Sequence, residues 1–428
     1  MVTPPDEYSR VPTQRNEGAA VRTVVRNGIV LDTDTMTYGD PCAIVIEDGM
    51  IVDVTSEPVG RADVDIDVGG QYVVPGLVDA HVHFRLASLD FASVSRWSEV
   101  EYGIAMAGLA RATVERGFTT VRDLGGEVVG LMRAIQRGAV IGPRIVRAGR
   151  MLSQTGGHGD ARGGDLALPQ CACAMPSDVM SIIADGADAV RKAARHNLAD
   201  GSDFLKIHVS GGVASPKDPL DSLQYTPAEI EAAVTEARHR GTYVAAHAYT
   251  SEAIAMAVAH GVYTIEHGNL IDQSTAAAVA AAGAVIVPTL STYEAMHQLG
   301  AALGMPAKNL EKNEIVYEAG LEALQTAVEE GVTLGLGTDL IGETQERQTR
   351  ELAIRAEVQP PIDVLRSLWV VNPALCRLDG RIGVVAPGAF GDLVVTSVDP
   401  TTDIVRFADH RTAHSLVVQG GDVVVDRR

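Results

Sequence analysis

Five stretches of the chain end in side chains that could meet around a metal ion. His81-Val82-His83 places two imidazoles at a spacing of two. In a strand that spacing puts both on one side, within reach of a single ion. Lys206 stands inside the apolar run Phe204-Leu205-Lys206-Ile207. An amine there is costly unless it is salt-bridged to an acid or chemically altered. His247, His267 and Asp339 close three further apolar runs. Each alone could be a satisfied core residue. With 12 histidines in 428 residues, a His-x-His pair arises by chance on the order of 0.3 times. Metal-competent groups on five strand ends, in one register, are harder to explain by packing. Three or four nitrogen or oxygen donors with an open position are what a catalytic zinc site requires. A second cation would need a bridging anion between the two.

The elements that must position these residues alternate. Strand-like runs occur at QYVVPGLVDAH, FTTVRDL, RIVRAG, FLKIHV, TYVAAH, YTIEH, AVIVPT and VTLGLGTD. Alanine-rich helical stretches such as EYGIAMAGLARATVERG and PAEIEAAVTEARHR lie between them. Continuous valine and isoleucine runs separated by helices predict parallel strands covered by helices. Eight such units predict an α/β fold of the TIM-barrel, (β/α)8 type over residues 75–379, with catalytic groups at the carboxyl ends of the strands. An open doubly wound sheet is the competing architecture, but no glycine-rich dinucleotide fingerprint follows the first strand. Residues 1–20 read as a flexible polar tail. The segments 21–74 and 380–428 hold short β-like runs broken by Asn-Gly and Asp-Gly turns. They predict a small β-sandwich built from both chain ends.

Composition narrows the function. Thirty-five basic and 55 acidic residues give a net charge of -20, which disfavours nucleic acid and anionic membranes as partners. No run is long and apolar enough to span a bilayer, and the polar start has no signal-peptide pattern. The four cysteines, Cys42, Cys171, Cys173 and Cys376, form no disulfide framework, which fits a reducing cytoplasm. The Cys171-Ala-Cys173 pair is too short in spacing, and too solitary, for a convincing zinc site.

The motifs together resemble the amidohydrolase superfamily. His81-Val82-His83, Lys206, His247, His267 and Asp339 match its pattern in order and strand placement. The runs LSQTGGHGD (152–160) and KIHVSGGVASPKDP (206–219), with His-Ala-Tyr at 247–249, Ile-Glu-His-Gly-Asn at 265–269 and Gly-Thr-Asp-Leu at 337–340, are similar to the branch of Xaa-Pro and Xaa-Arg/Lys dipeptidases and ochratoxin-type amidases. The resemblance covers about Arg22 to Val425. It implies two divalent metal ions, zinc by expectation. His81, His83 and Asp339 would ligate the buried ion, and His247 and His267 the outer one. Lys206, carboxylated by CO2 to a carbamate, would bridge them. It also implies a homo-oligomer.

The activity so implied is hydrolysis of an amide-type C–N bond by metal-activated water, with Asp339 moving the proton to the leaving nitrogen. His158, by similarity, and Tyr225, in the loop after the Lys206 strand, are candidate oxyanion donors. Loop packing and helix entry are their alternatives. His208 departs from the family pattern. It shares a strand face with Lys206 and could tune the pocket or bond to a neighbouring loop. The expected substrate is a dipeptide or N-acyl amino acid with a free C-terminal carboxylate, for which Arg347 and Arg350 are candidate partners, although both could be solvated helix residues. Carbamates, ureas and cyclic amides are the alternative substrates. A non-catalytic metal-binding scaffold is the alternative from another class, but every ligand position is filled.

Overall fold

The structure, a computed structural model, describes residues 21–90, 94, 96–160, 177–215 and 218–428. The predicted tail, Cys171 and Cys173 lie outside them. Cys42 and Cys376 are free thiols.

Both chain ends enter one nine-stranded sheet. Its strands are β1 (Arg22–Asp32), β2 (Thr37–Tyr38), β3 (Cys42–Glu47), β4 (Met50–Thr55), β5 (Val64–Asp67) and β6 (Tyr72–Pro75), joined by β17 (Leu393–Thr396), β18 (His414–Gln419) and β19 (Asp422–Asp426). The order is β19-β18-β17-β6-β1-β3-β4, with β2 and β5 also on β1. The sequence predicts a sandwich here, whereas the hydrogen bonding runs through one continuous sheet. The reason is β1, which is 11 residues long and serves two sets of partners. Its first half pairs with β3 and β5, its second with β6 and β2, and a register shift between Val25 and Gly28 separates them. Asn27 turns that corner at φ 57°. Alternate residues face two different cores. Val73, Val395 and Val418 join Val25 and Ile46, whereas Val74, Val394 and Val417 pack on Phe118, Leu368 and Trp369.

Between the two ends the chain alternates strands and helices. The parallel strands are β7 (Leu77–Val82), β8 (Phe118–Asp123), β9 (Arg144–Arg147), β10 (Met151–Ser153), β11 (Ser181–Ile183), β12 (Leu205–His208), β13 (Val244–Thr250), β14 (Thr264–Leu270), β15 (Val285–Val287) and β16 (Thr333–Leu334). All eight predicted runs contain a strand. They divide into a seven-stranded sheet, β11-β10-β12-β13-β14-β15-β16, and a three-stranded sheet, β7-β8-β9. The third run is the cause of the division. It is broken after Arg147, where Gly149 takes φ 74°. Left-handed backbone costs glycine nothing, so the chain bends there, with β9 pairing back to β8 and β10 forward to β12.

Backbone hydrogen bonds span both gaps. Asp203 N donates to Arg147 O at 2.9 Å, Ala80 N to Leu336 O at 2.8 Å and Asp339 N to His81 O at 2.8 Å. Asn372 stitches the second gap with its side chain. It donates to Val78 O (2.7 Å) and Leu336 O (2.8 Å) and accepts from Leu336 N (3.0 Å).

The helices start where local chemistry dictates. Ser98 and Glu101 form a capping box on the helix Glu99–Glu115, and Thr226 and Glu229 do so on Pro227–His239. Each pair satisfies amide donors that the first helical turn leaves free. Tyr102, Met106, Ala110 and Val114 recur at helical spacing and are buried. The largest core lies between strands and helices, with Ile207, Ala246 and Ile265 facing Ile230, Ala233 and Ile254. Among the described residues no helix is long and apolar enough to cross a membrane.

Candidate active site

The carboxyl ends of β7, β12, β13 and β14, with the segment after β16, bring most of the sequence-derived donors together. His81 Nε2 lies 3.3 Å from His83 Nε2, and each lies 3.4 Å from Asp339 Oδ1. His81, His267 and Asp339 offer ligand atoms that all fall within 4.8 Å of one another. The His267 ring is 5.1 Å from His81 and 4.6 Å from His247. Burial, helped by the charge of Lys206, holds all four imidazoles below the usual histidine range, His83 at about 4. Neutral imidazole is the metal-binding form.

Lys206 is 1 % exposed, and its Nζ has no hydrogen-bond partner among the described residues. Burial pushes its amine below the usual lysine range, against the fields of Glu266 and Asp339. Burial likewise pushes the Asp339 carboxyl up, and Lys206 opposes it. A buried, unpartnered amine among neutral imidazoles is unfavourable unless something else occupies the space. The donor set is nitrogen and oxygen throughout, which suits a zinc-class divalent cation.

Supports hold these groups from behind. Glu266 accepts from His81 Nδ1 (2.8 Å), Thr264 Oγ1 (2.7 Å) and Arg122 Nη2 (2.7 Å). That leaves His81 Nε2 toward Asp339, the usual way a carboxylate fixes a ligating histidine. Asp79 accepts from His81 N (3.0 Å), Thr338 Oγ1 (2.6 Å) and Gln348 Nε2 (2.8 Å). His83 Nδ1 meets Gly125 O at 3.1 Å, and His267 Nδ1 meets Thr289 Oγ1 at 2.8 Å. His267 and Asp339 sit at φ 78° and 50°, a region that side chains other than glycine enter at a cost of about 1–3 kcal/mol. Both bends return a side chain to the cluster.

The remaining sequence candidates divide. His158 joins the cluster, with its ring stacked on His247 at 4.3 Å and edge-on to His208 at 5.0 Å. His208 is buried, lies 5.5 Å from the His247 ring and has an unpartnered Nδ1. Tyr225 is not brought to the cluster. Its ring packs in the apolar layer with Ile230 and Val209. The charges that act on its hydroxyl are Glu229 and Asp185, neither of them a cluster residue. Its position at φ 59° turns the chain, with the amide bonded to Gln154 Oε1 at 2.7 Å. Arg350 is engaged by Glu294 through Nε (3.0 Å) and Nη2 (2.9 Å), and Arg347 Nη1 by Gln298. Both arginines are therefore tied to the helix Leu290–Leu299.

Sequence reasoning missed Asp79, Arg122 and Glu266. Asp79 was legible, because Asp79, His81 and His83 share one strand face. Glu266 was hidden, because strict alternation places it opposite His267, and only the left-handed bend at His267 lets both face inward.

Parallel strands that converge imidazoles and a carboxylate at their carboxyl ends define a hydrolase-type site of an α/β enzyme. The chain belongs to the amidohydrolase family, whose sequence model matches residues 72–423. Within it the chain is similar to prolidase-like proteins and ochratoxinase. A crystal structure of a prolidase complexed with N-methylphosphonate-L-proline superimposes with a TM-score of 0.90 at 42 % identity, covering 95 % of this chain and 100 % of that one. A Xaa-Pro dipeptidase with bound methionine gives a TM-score of 0.83 at 27 % identity over 94 % and 99 % of the two chains. The ochratoxinase of Aspergillus niger is 27 % identical over 93 % of this chain and 86 % of its own length. The chain is thus a hydrolase of an amide-cleaving family.

Proposed function

We propose that the chain is a metal-dependent amidohydrolase that cleaves dipeptides or N-acyl amino acids bearing a free C-terminal carboxylate. The observation that carries this reading is the convergence of His81 Nε2, His83 Nε2 and Asp339 Oδ1 within 3.4 Å, beside the unpartnered amine of Lys206. The prolidase structure with its phosphonate-proline ligand supports the substrate class. In this reading the ten parallel strands form one eight-unit barrel closed by the bonds at Arg147 and Leu336, with the terminal sheet as a second domain.

His81, His83 and Asp339 would hold one divalent cation, and His247 and His267 a second. Lys206, as its carbamate, would bridge them. Burial lowers its pKa to about 8, which enlarges the fraction of uncharged amine, the form that attacks CO2. The new N–C bond releases one proton and leaves an anion where a cation would repel the metals. When bound, the cations supply Lewis acidity for the amide carbonyl and for water. Asp339 accepts the proton of the attacking water and delivers it to the leaving nitrogen, since an amine departs only when protonated. Glu266 and Asp79 keep His81 in register, and His158, stacked on His247, would donate to the substrate's oxygen.

The test is a matched pair, an N-acyl-proline and its amide. Losing a charge-assisted carboxylate contact costs roughly 2–5 kcal/mol, so the amide should be cleaved at least about 30-fold more slowly in kcat/KM. Equal rates would remove the dipeptidase reading in favour of carbamates, ureas or cyclic amides.

A further inference from the structure

His158 is held by a chain of contacts that begins on a distant helix. Its Nδ1 lies 2.7 Å from Ser215 Oγ and 3.6 Å from Asp218 Oδ2. Ser215 Oγ donates to Asp218 Oδ1, so toward the imidazole it acts as an acceptor. Nδ1 therefore carries the hydrogen, and Nε2 is the nitrogen left for a ligand. Asp218 Oδ2 also accepts from Gly212 N (3.0 Å) and Gln224 Nε2 (3.2 Å), and Gln224 Oε1 in turn accepts from His158 N (2.8 Å).

The loop carrying Ser215 and Asp218 is pinned by the helix Ala307–Glu329. Lys312 Nζ donates to Gly212 O (2.9 Å), Ser215 O (2.7 Å) and Asp218 O. Asn309 Nδ2 donates to Val213 O at 2.6 Å. One ammonium thus spends its three donors on three main-chain carbonyls of the loop. The imidazole lies flush on the same loop, because a Cβ at Gly212 would fall 2.1 Å from the His158 ring.

We propose that Lys312 and Asp218 are positioning residues that lock the orientation and tautomer of His158 at the substrate side of the site. The proposal rests on the reading that His158 faces substrate. Neither residue needs to touch the reacting atoms. Charge-assisted donors to carbonyls are stronger than neutral ones, which makes Lys312 the anchor and Asp218, through Ser215, the coupling to the ring.

The experiment uses the full chain loaded with zinc and labelled with 15N-histidine. Long-range 15N–1H correlation reports the tautomer of each ring, and His158→Gln identifies the His158 signals. Wild type should show a single Nδ1–H form. Lys312→Met, Asp218→Asn and Gly212→Ala should each give an averaged or shifted His158 pattern. Exposed Lys308, on the same helix, is the control, and Lys308→Met should change nothing. In parallel, kcat for an N-acyl-proline should fall about 10²-fold in Lys312→Met, as for a slightly misplaced group, with metal content and Tm retained. Propylammonium should restore part of that rate in Lys312→Ala. An unchanged His158 spectrum in Lys312→Met overturns the proposal, as does a fall in kcat that merely tracks lost metal or lost fold. If wild type cleaves no amide, the proposed function fails, while a tautomer change in the variants still supports the clamp.

Discussion

Asp339 carries two tasks at one atom, contact with both His81 and His83 and a carboxyl that burial drives up. Asp339→Asn keeps the shape and removes the proposed proton acceptor. It should retain most of its metal by elemental analysis and lose about 10²- to 10⁴-fold in kcat. Near wild-type turnover at full occupancy would place the proton shuttle elsewhere. Glu266 makes a different case. Both it and Arg122 are fully buried, and removing one partner of a buried pair costs about 3–5 kcal/mol. Glu266→Gln should lose stability on that scale in urea denaturation. Its metal affinity, read by chelator competition, should weaken about 10- to 100-fold, as it does when a ligand's supporting carboxylate is lost. Unaltered affinity would reduce Glu266 to a packing role. The histidines, Lys206 and Asp339 were legible because residue type and strand-end position suffice to find them. Glu266 was not, because its inward direction depends on a backbone angle one residue later, and spacing carries no φ.

The elements explain both what could be read and what could not. Eight apolar runs between helical stretches were visible, since burial on both faces leaves continuous valine and isoleucine. The split of the third run at Gly149 was not, because a glycine in a strand pattern reads equally well as a bulge. Strand β16 is only two residues long. The segment after it is held by Asn372, whose three side-chain bonds join β7 to that segment. Asn372→Ala leaves those buried backbone groups unpaired and should cost about 3 kcal/mol, read as a lowered midpoint in urea. Because the same segment carries Asp339, metal affinity should fall with it. A variant with lowered stability and untouched metal binding would show that the two sheets position the site without this stitch. Tyr225 teaches the converse. Its place in a loop near the site was evident from sequence, but its ring follows the apolar layer beneath.

At the scale of the whole molecule, both chain ends meet in one sheet packed on Phe118, Leu368 and Trp369, while the donors gather at the carboxyl ends of the parallel strands. This division fits a scaffold that sets stability at one place and chemistry at another. Charge acts at this scale too, since a net -20 repels anionic substrates over distance. If a carboxylate is recognised, added salt should therefore raise kcat/KM for N-acyl-proline by screening that repulsion. A fall in kcat/KM on adding salt would point to a local basic steering surface instead. The central claim is that the clustered donors make this chain a metal-dependent amide hydrolase. Its most direct test is the rate of N-acyl-proline and dipeptide hydrolysis by protein stripped of metal with a chelator and then titrated with zinc. The expected result is loss of hydrolysis on stripping and its return as up to two zinc ions bind per chain. Hydrolysis at the full rate by metal-free protein would contradict it.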